Sequence, residues 1–345
     1  MASSSWVPGA DTSNDFSLAN LPLGIVSTPA DPTPHAAVAI GPYILDLKAL
    51  FPLSCPADEQ DALLPTLSSQ TAVFAGPTLN ALAALGRPAH RELRAFLQAL
   101  LASTTPHPHL LRDDEAVRAR VLIPQAVVQM HLPMAIGDYT DFYAGYHHAH
   151  HVGVMFRGPA NALQPNYTHL PVGYHGRASS VVVSGTPIVR PVGQMLPDPA
   201  AKVPVTGPTR KLDIELELGC FIAKGNAMGT SVSVQEAEDD FIFGYVLLND
   251  WSARDVQTWE YVPLGPFNGK NFGTTVSGWV VVPEALEPFR CRGVENATEL
   301  QGYLRGGREE GGVFDVKLEV DLTSEFSLFF FFLYTLYWTL GNGHG

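Results

Sequence analysis

The chain reads as a mainly β protein with some helix, an α+β class, and three observations carry that reading. Its 31 Gly and 28 Pro are spread along 345 residues, which sets many short turns. Residues 211–220, KLDIELELGC, alternate acidic and apolar residues with a period of two, as a β-strand does. A composition of 46% hydrophobic and 16% charged residues gives a compact chain with a large core and room for two domains.

Residues 1–120 read as a small leading module. HAAVAIGPYILDLKAL predicts two short strands around Gly41-Pro42. HRELRAFLQALLAS places Leu93, Phe96, Leu97, Leu100 and Leu101 at helical spacing, a core-facing helix. Around ARVLIPQAVVQM the texture changes to apolar runs broken by Gly and Pro, and a larger second domain is expected over 121–322. Residues 323–345 are an atypical aromatic-rich tail. Its uncharged stretch FSLFFFFLYTLYWTL is shorter than the about 20 residues of a membrane span and lacks basic anchors. No membrane partner is expected. A net charge of −13 with no basic patch argues against nucleic acid. Cys55, Cys220 and Cys291 lie far apart with no C-x-x-C pair, which speaks for a reducing compartment. The opening MASSSWVPGADTSNDF has no basic start and no apolar core, so a cytoplasmic location is expected.

The chemistry concentrates in the second domain. Asp213, Glu215 and Glu217 share one face of their strand, either as a solvated face or as part of a hard-cation site. Asp141, Glu215, Glu217 and Asp250 all sit in apolar, turn-rich settings, and Asp250 ends the apolar run FGYVLLN. Carboxylates gathered together repel unless a cation holds them, and oxygen ligands of this kind suit Mg²⁺ or Ca²⁺. Asp213 is as well suited to a salt bridge as to ligation. His147, His148, His150 and His151 have H-x-x-H spacings that invite zinc. The acids nearby are hard ligands, however, so one histidine acting as general base is the more economical reading. GPFNGKN resembles a phosphate loop, but Leu264 and Asn271 break the pattern at its ends. Lys270 is then a fixed positive charge or an ordinary surface lysine. There is no G-x-S-x-G elbow, and Cys220 falls on the apolar face of its strand, where a core residue is expected. A water activated by histidine is the better nucleophile. Arg157, Arg177 and Arg254 have contexts in which they hold substrate carboxylates or serve structure.

Four stretches, GDYTDFYAGYHHAHHVGVMFR, PVGYHGRASSVVVSGTP, the acidic strand and NDWSARDVQTWEYVPLGPFNGKNFGTT, resemble in order and spacing the fumarylacetoacetase (fumarylacetoacetate hydrolase) family. The likeness covers roughly 130–290 and is near word-for-word in VGYHGRASS, NDWSARD and WEYVPLGPF. It implies a small SH3-like N-terminal barrel, a β-roll catalytic domain and a homodimer. The implied reaction hydrolyses a carbon–carbon bond of 4-fumarylacetoacetate to fumarate and acetoacetate, in the breakdown of tyrosine and phenylalanine. By position, the resemblance makes Asp141, Glu215, Glu217 and Asp250 ligands of Ca²⁺ or Mg²⁺. It makes His148 the general base and Lys270 the oxyanion-stabilising lysine, with Arg254 and Gln257 beside the leaving group. Tyr143, Arg157, Tyr174, Gln257 and Tyr261 match substrate-binding positions. Lys270 and Thr274, with Asp250, match a second, structural cation site.

The likeness stops at about Leu322. The family's later strands, a GTISG-like turn that binds substrate and a glutamate that orients the histidine have no counterpart in the residues that follow. An aberrant or truncated C-terminus is therefore expected. The alternatives to an active hydrolase are an inactive chain that still binds metal or dimerises, and a related acylpyruvate hydrolase or decarboxylase.

Overall fold

The structure, a computed structural model, describes residues 4–12, 15–51, 56–200, 202–306, 311–322 and 338–339. They form two compact units. One comprises Met1–Gly137, Ala178–Val232 and Glu236–Ala285, and the other Asp138–Arg177, Ser233–Gln235 and Leu286–Gly345. The chain is mixed α and β with a β-rich N-terminal part, as its sequence predicts.

In the first unit an antiparallel sheet runs in the order Trp279–Val280, Leu23–Ser27, His35–Ile40, Tyr43–Asp46 and Leu122–Pro124, with Gln129–His131 also paired to Leu23–Ser27. The two strands expected around Gly41-Pro42 are present, with Ile40 paired to Tyr43. Gly41 makes that turn at φ +53°, and a Cβ there would lie 2.8 Å from the backbone of Ala10, so only glycine fits. The helix Arg87–Leu101 begins with a proline in its first turn, where the missing N–H breaks no helical bond. Leu93, Phe96, Leu97, Leu100 and Leu101 are all buried on it and join the core that includes Ile25, Val38 and Phe243.

The acidic stretch enters a second sheet of the same unit. Leu216–Ile222 pairs antiparallel with Ile242–Asp250, which pairs antiparallel with Thr274–Val276, and Val181–Val183 completes the sheet in parallel. The alternation is real, but the inward face is the opposite of the one expected. Glu217 and Gly219 oppose Leu248 and Val246, which are buried in the core. A Cβ on Gly219 would meet the Val246 side chain at 2.9 Å. Leu218 and Ile222 are 43% and 56% exposed, and Cys220 lies with them. Cys220 is thus an exposed residue and not a core one. Val246, Leu248 and Val276 supply the apolar layer from neighbouring strands, so the Glu217 side is the one that packs. The expected single strand is broken in two, with Asp213 exposed in the short strand Leu212–Asp213 and Glu215 between the two.

In the second unit Tyr139–Phe142 pairs with Gly173–Gly176, and the helix Tyr146–Arg157 follows the first of these strands. Gly158 ends the helix at φ +78°, the left-handed conformation that glycine adopts without a Cβ penalty. The aromatic-rich tail and Cys55 lie outside the described residues, apart from Trp338–Thr339, which pairs with Lys317–Leu318. Among the described residues no helix is long and apolar enough to cross a membrane.

One buried charge in the first unit gives a pH test of the fold. His35 is fully buried, with Nδ1 2.7 Å from the Thr33 carbonyl oxygen and Nε2 3.0 Å from the Asp46 carboxylate. Both partners only accept, so both ring nitrogens donate and the ring is an imidazolium. Burial opposes that charge, but the Asp46 carboxylate, the Thr33 carbonyl and Asp31 outweigh it and raise the pKa above its ordinary value. The other Asp46 oxygen accepts the Ala49 N–H at 2.8 Å, which caps the helix Leu47–Leu50. A pKa raised by folding stabilises fully below the unfolded value of about 6.5, and the contribution is lost as pH rises through the folded value. His35→Gln is expected to cost about 2 kcal/mol near pH 6 and less near pH 9, read by urea unfolding. An equal loss at both pH values would mean that the ring is neutral.

Candidate active site

The site of the first unit is built where its second sheet runs out. Asp250 is the last residue of Ile242–Asp250, and Thr274 is its cross-strand partner. Glu215 sits in the break between Leu212–Asp213, which pairs with Ser252–Ala253, and Leu216–Ile222, which pairs with Ile242–Asp250. Its backbone is fixed on both sides. The Glu215 N–H donates to the Asn249 side-chain oxygen at 3.2 Å, and its carbonyl accepts the Asp250 N–H at 3.1 Å. From this break the Glu215 carboxylate reaches Lys270, which Asp250 also binds.

Lys270 lies between these acids. Its Nζ is 2.7 Å from Glu215 Oε2 and bonds Asp250 Oδ2 directly. Asp250 is 2% exposed and Lys270 8%. Arg254 closes the other side, with Nη2 2.6 Å from Glu215 Oε1 and Nε 2.9 Å from Asp213 Oδ2. Its Nη1 donates to Gln257 Oε1 at 3.2 Å. Burial disfavours a charged Glu215, but Lys270 and Arg254 hold its carboxyl below the ordinary range. Burial likewise opposes the ammonium of Lys270, and Asp250 and Glu215 more than compensate, raising its pKa. The lysine is therefore held as an ammonium near neutral pH.

The same unit supplies a donor set for a metal. A carboxylate oxygen of Glu217 lies within 4.8 Å of one of Asp250. Hard anionic oxygens gathered in this way suit a divalent cation such as Mg²⁺ or Ca²⁺.

The second unit holds the remaining sequence-predicted residues. Asp141 and Tyr174 are cross-strand partners, so their side chains share a face. The Tyr143 ring stands edge-on to His148 at 5.4 Å and to Tyr167 at 6.1 Å. His148 is half-buried on its helix, whereas His147 and His151 are exposed. Arg157 donates to the carbonyl oxygens of Asn161 and Ala162 at 3.0 and 2.6 Å, tying the end of the helix to the turn after it. Tyr261, in the first unit, is 52% exposed.

Three features were not visible in sequence. Lys270 has no acid beside it in the chain, yet two carboxylates from distant segments bind it. Asp213 is a salt-bridge partner of Arg254, one of the two roles open to it. Asn249 holds the Glu215 backbone and carries no signal of that beyond its place in NDWSARD.

Known families account for both halves of the chain. The profile described as Fumarylacetoacetase N-terminal matches residues 19–133, and that described as Fumarylacetoacetate (FAA) hydrolase C-terminal matches residues 139–320. The class is thus that of FAA hydrolases. Within it, the chain belongs to the fumarylacetoacetase family. It is 56% identical over 313 residues to a fumarylacetoacetase of Aspergillus fumigatus, covering 90% of this chain and 71% of the relative. It is 50% identical over 321 residues to the fumarylacetoacetase of Homo sapiens, covering 93% and 73% respectively. The solved fumarylacetoacetate hydrolase of Exiguobacterium antarcticum aligns over 77% of this chain and 68% of its own, at 17% identity and a TM-score of 0.40.

The lysine contact makes a direct prediction. Removing the ammonium leaves two buried carboxylates facing each other, so Lys270→Met is expected to cost about 3–5 kcal/mol in metal-free buffer. Urea unfolding measures it, and a loss under about 1 kcal/mol would mean that water already screens the pair.

Proposed function

We infer that this chain hydrolyses 4-fumarylacetoacetate to fumarate and acetoacetate, a hydrolase acting on a carbon–carbon bond in the catabolism of tyrosine and phenylalanine. Membership of the fumarylacetoacetase family carries that inference. The buried acids around one ammonium are the site feature that supports it.

The reaction adds the oxygen of water to a ketone carbonyl and breaks the adjacent carbon–carbon bond. The expelled carbon keeps the electron pair as an enolate and is then protonated to acetoacetate. In our reading His148 takes the proton of the attacking water, worth typically about 10²–10⁴-fold. The edge of the Tyr143 ring limits where the imidazole can turn. Lys270, an ammonium near neutral pH, faces the alkoxide of the tetrahedral intermediate. Arg254 and Gln257, bonded to each other, stand beside the leaving enolate. Tyr143, Arg157, Tyr174, Gln257 and Tyr261 contact substrate, with Arg157 exchanging a loop carbonyl for a substrate carboxylate.

Asp141, Glu215, Glu217 and Asp250 would hold the divalent ion, Ca²⁺ or Mg²⁺. Lys270 and Thr274, with Asp250, border a second, structural cation. A bound divalent ion supplies Lewis acidity to the diketone oxygens. The close approach of the Glu217 and Asp250 carboxylate oxygens supports such an ion. We further propose a cytoplasmic homodimer. An acidic chain offers no attraction to nucleic acid.

The test is loss of fumarylacetoacetate absorbance with the purified full chain, with Mg²⁺ or Ca²⁺ and with a chelator. Turnover is expected to need the ion and to fall about 10²–10⁴-fold in His148→Ala. Chelator-resistant turnover, or a His148→Ala variant at full rate, would reject the assignments. No turnover from soluble, folded chain would reject the activity itself.

A further inference from the structure

The backbone just before Lys270 is bonded by a carboxylate that is itself outside the charge cluster. Glu260 ends the helix Arg254–Glu260, and its Oε1 accepts the backbone N–H of Gly269 at 2.6 Å. The next peptide group, shared by Gly269 and Lys270, is held at both ends. Its carbonyl accepts the Ala253 N–H at 2.8 Å, and its N–H donates to the Phe267 carbonyl at 3.1 Å. Both peptide groups that lead into the Lys270 Cα are therefore fixed.

Two further observations mark this loop as constrained. Gly269 is buried, and a Cβ there would lie 2.9 Å from the Gln257 Cβ and backbone nitrogen, closer than real contacts allow. The loop thus presses backbone-first on the helix that carries Arg254 and Gln257. Phe267 sits at φ +62°, a left-handed conformation that costs a bulky residue on the order of 1–3 kcal/mol and persists only where its surroundings over-determine it. Its carbonyl also accepts the Asn271 N–H at 2.8 Å.

We propose that Glu260 is a positioning residue for the reaction: by clamping the Gly269 N–H it locks Lys270 to the Arg254–Glu260 helix, so that ammonium, guanidinium and Gln257 hold one spacing. The acceptor oxygen of Glu260 does this, and its negative charge does not. The proposal rests on the role of Lys270 given above. It takes Glu260 to act through Lys270 without touching substrate.

Three variants of Glu260 separate geometry from charge. Glu260→Gln keeps an oxygen at the same reach and removes the charge, and is expected within about 3-fold of the parent kcat. Glu260→Asp keeps the charge and withdraws the oxygen by about one C–C bond, roughly 1.5 Å. It is expected to lose about 10–100-fold in kcat with KM changed less than about 3-fold, since misplacement of about 1 Å can cost 10²-fold. Glu260→Ala is expected to match Glu260→Asp. A second readout is independent of turnover: amide exchange over residues 265–271 should quicken in Glu260→Asp and stay at the parent rate in Glu260→Gln. Glu260→Asp with parent kcat and parent exchange, or Glu260→Gln as impaired as Glu260→Ala, overturns the proposal. Lys270→Ala run alongside tells the two readings apart. If it is inactive while Glu260→Asp keeps the parent kcat and the parent exchange, the clamp alone is wrong. If it turns over at the parent rate, the role of Lys270 falls and the clamp with it.

Discussion

The burial of one ammonium between two carboxylates is the constraint around which the first unit's site is organised. Lys270, Glu215 and Asp250 come from three separate segments, and none of them could be buried as an ion alone. Taking any one out of water costs several kcal/mol, and only mutual contact at hydrogen-bond distance offsets that cost. The three segments must therefore arrive together. The second sheet serves this end by letting strand 242–250 finish at Asp250, beside Thr274 on one side and the Glu215 carbonyl on the other.

Arg254 extends the arrangement into a network. It takes the second Glu215 oxygen, so each oxygen of that carboxylate faces a different cation. Asp213 binds Arg254 from the strand before the break, and Gln257 binds it from one turn further along its helix. A guanidinium with three of its nitrogens engaged in this way loses most of its rotamer freedom, which is what a group meant to meet a developing charge needs. Glu217 brings a further carboxylate oxygen within 4.8 Å of one of Asp250, and such a gathering of hard oxygens is the physical reason to expect a divalent ion there.

The second unit organises its residues differently. Asp141 and Tyr174 share a face through strand pairing, and Tyr143 and His148 meet through ring packing. Its histidine cluster is resolved by the helix on which it lies. His147 and His151 are exposed, His148 and His150 are half-buried, and of these His148 stands beside Tyr143.

Much of this was legible in the residues. Period two in KLDIELELGC and the spacing of Leu93, Phe96, Leu97, Leu100 and Leu101 named a strand and a helix, because backbone geometry fixes those periods whatever the surroundings. The turn at Gly41 was legible because few residues tolerate its conformation. The motifs around His148, Glu215, Asp250 and Lys270 identified the family. What the sequence left open was which face of a strand would be buried and which charges would meet. Cys220 was expected in the core and is exposed, since Val246, Leu248 and Val276 on neighbouring strands decide the packed side. Lys270 read equally as a surface residue, since its partners lie 55 and 20 residues away along the chain. Local pattern determines local geometry, whereas burial and ion pairing are contacts between distant segments, and only the tertiary structure brings those segments together.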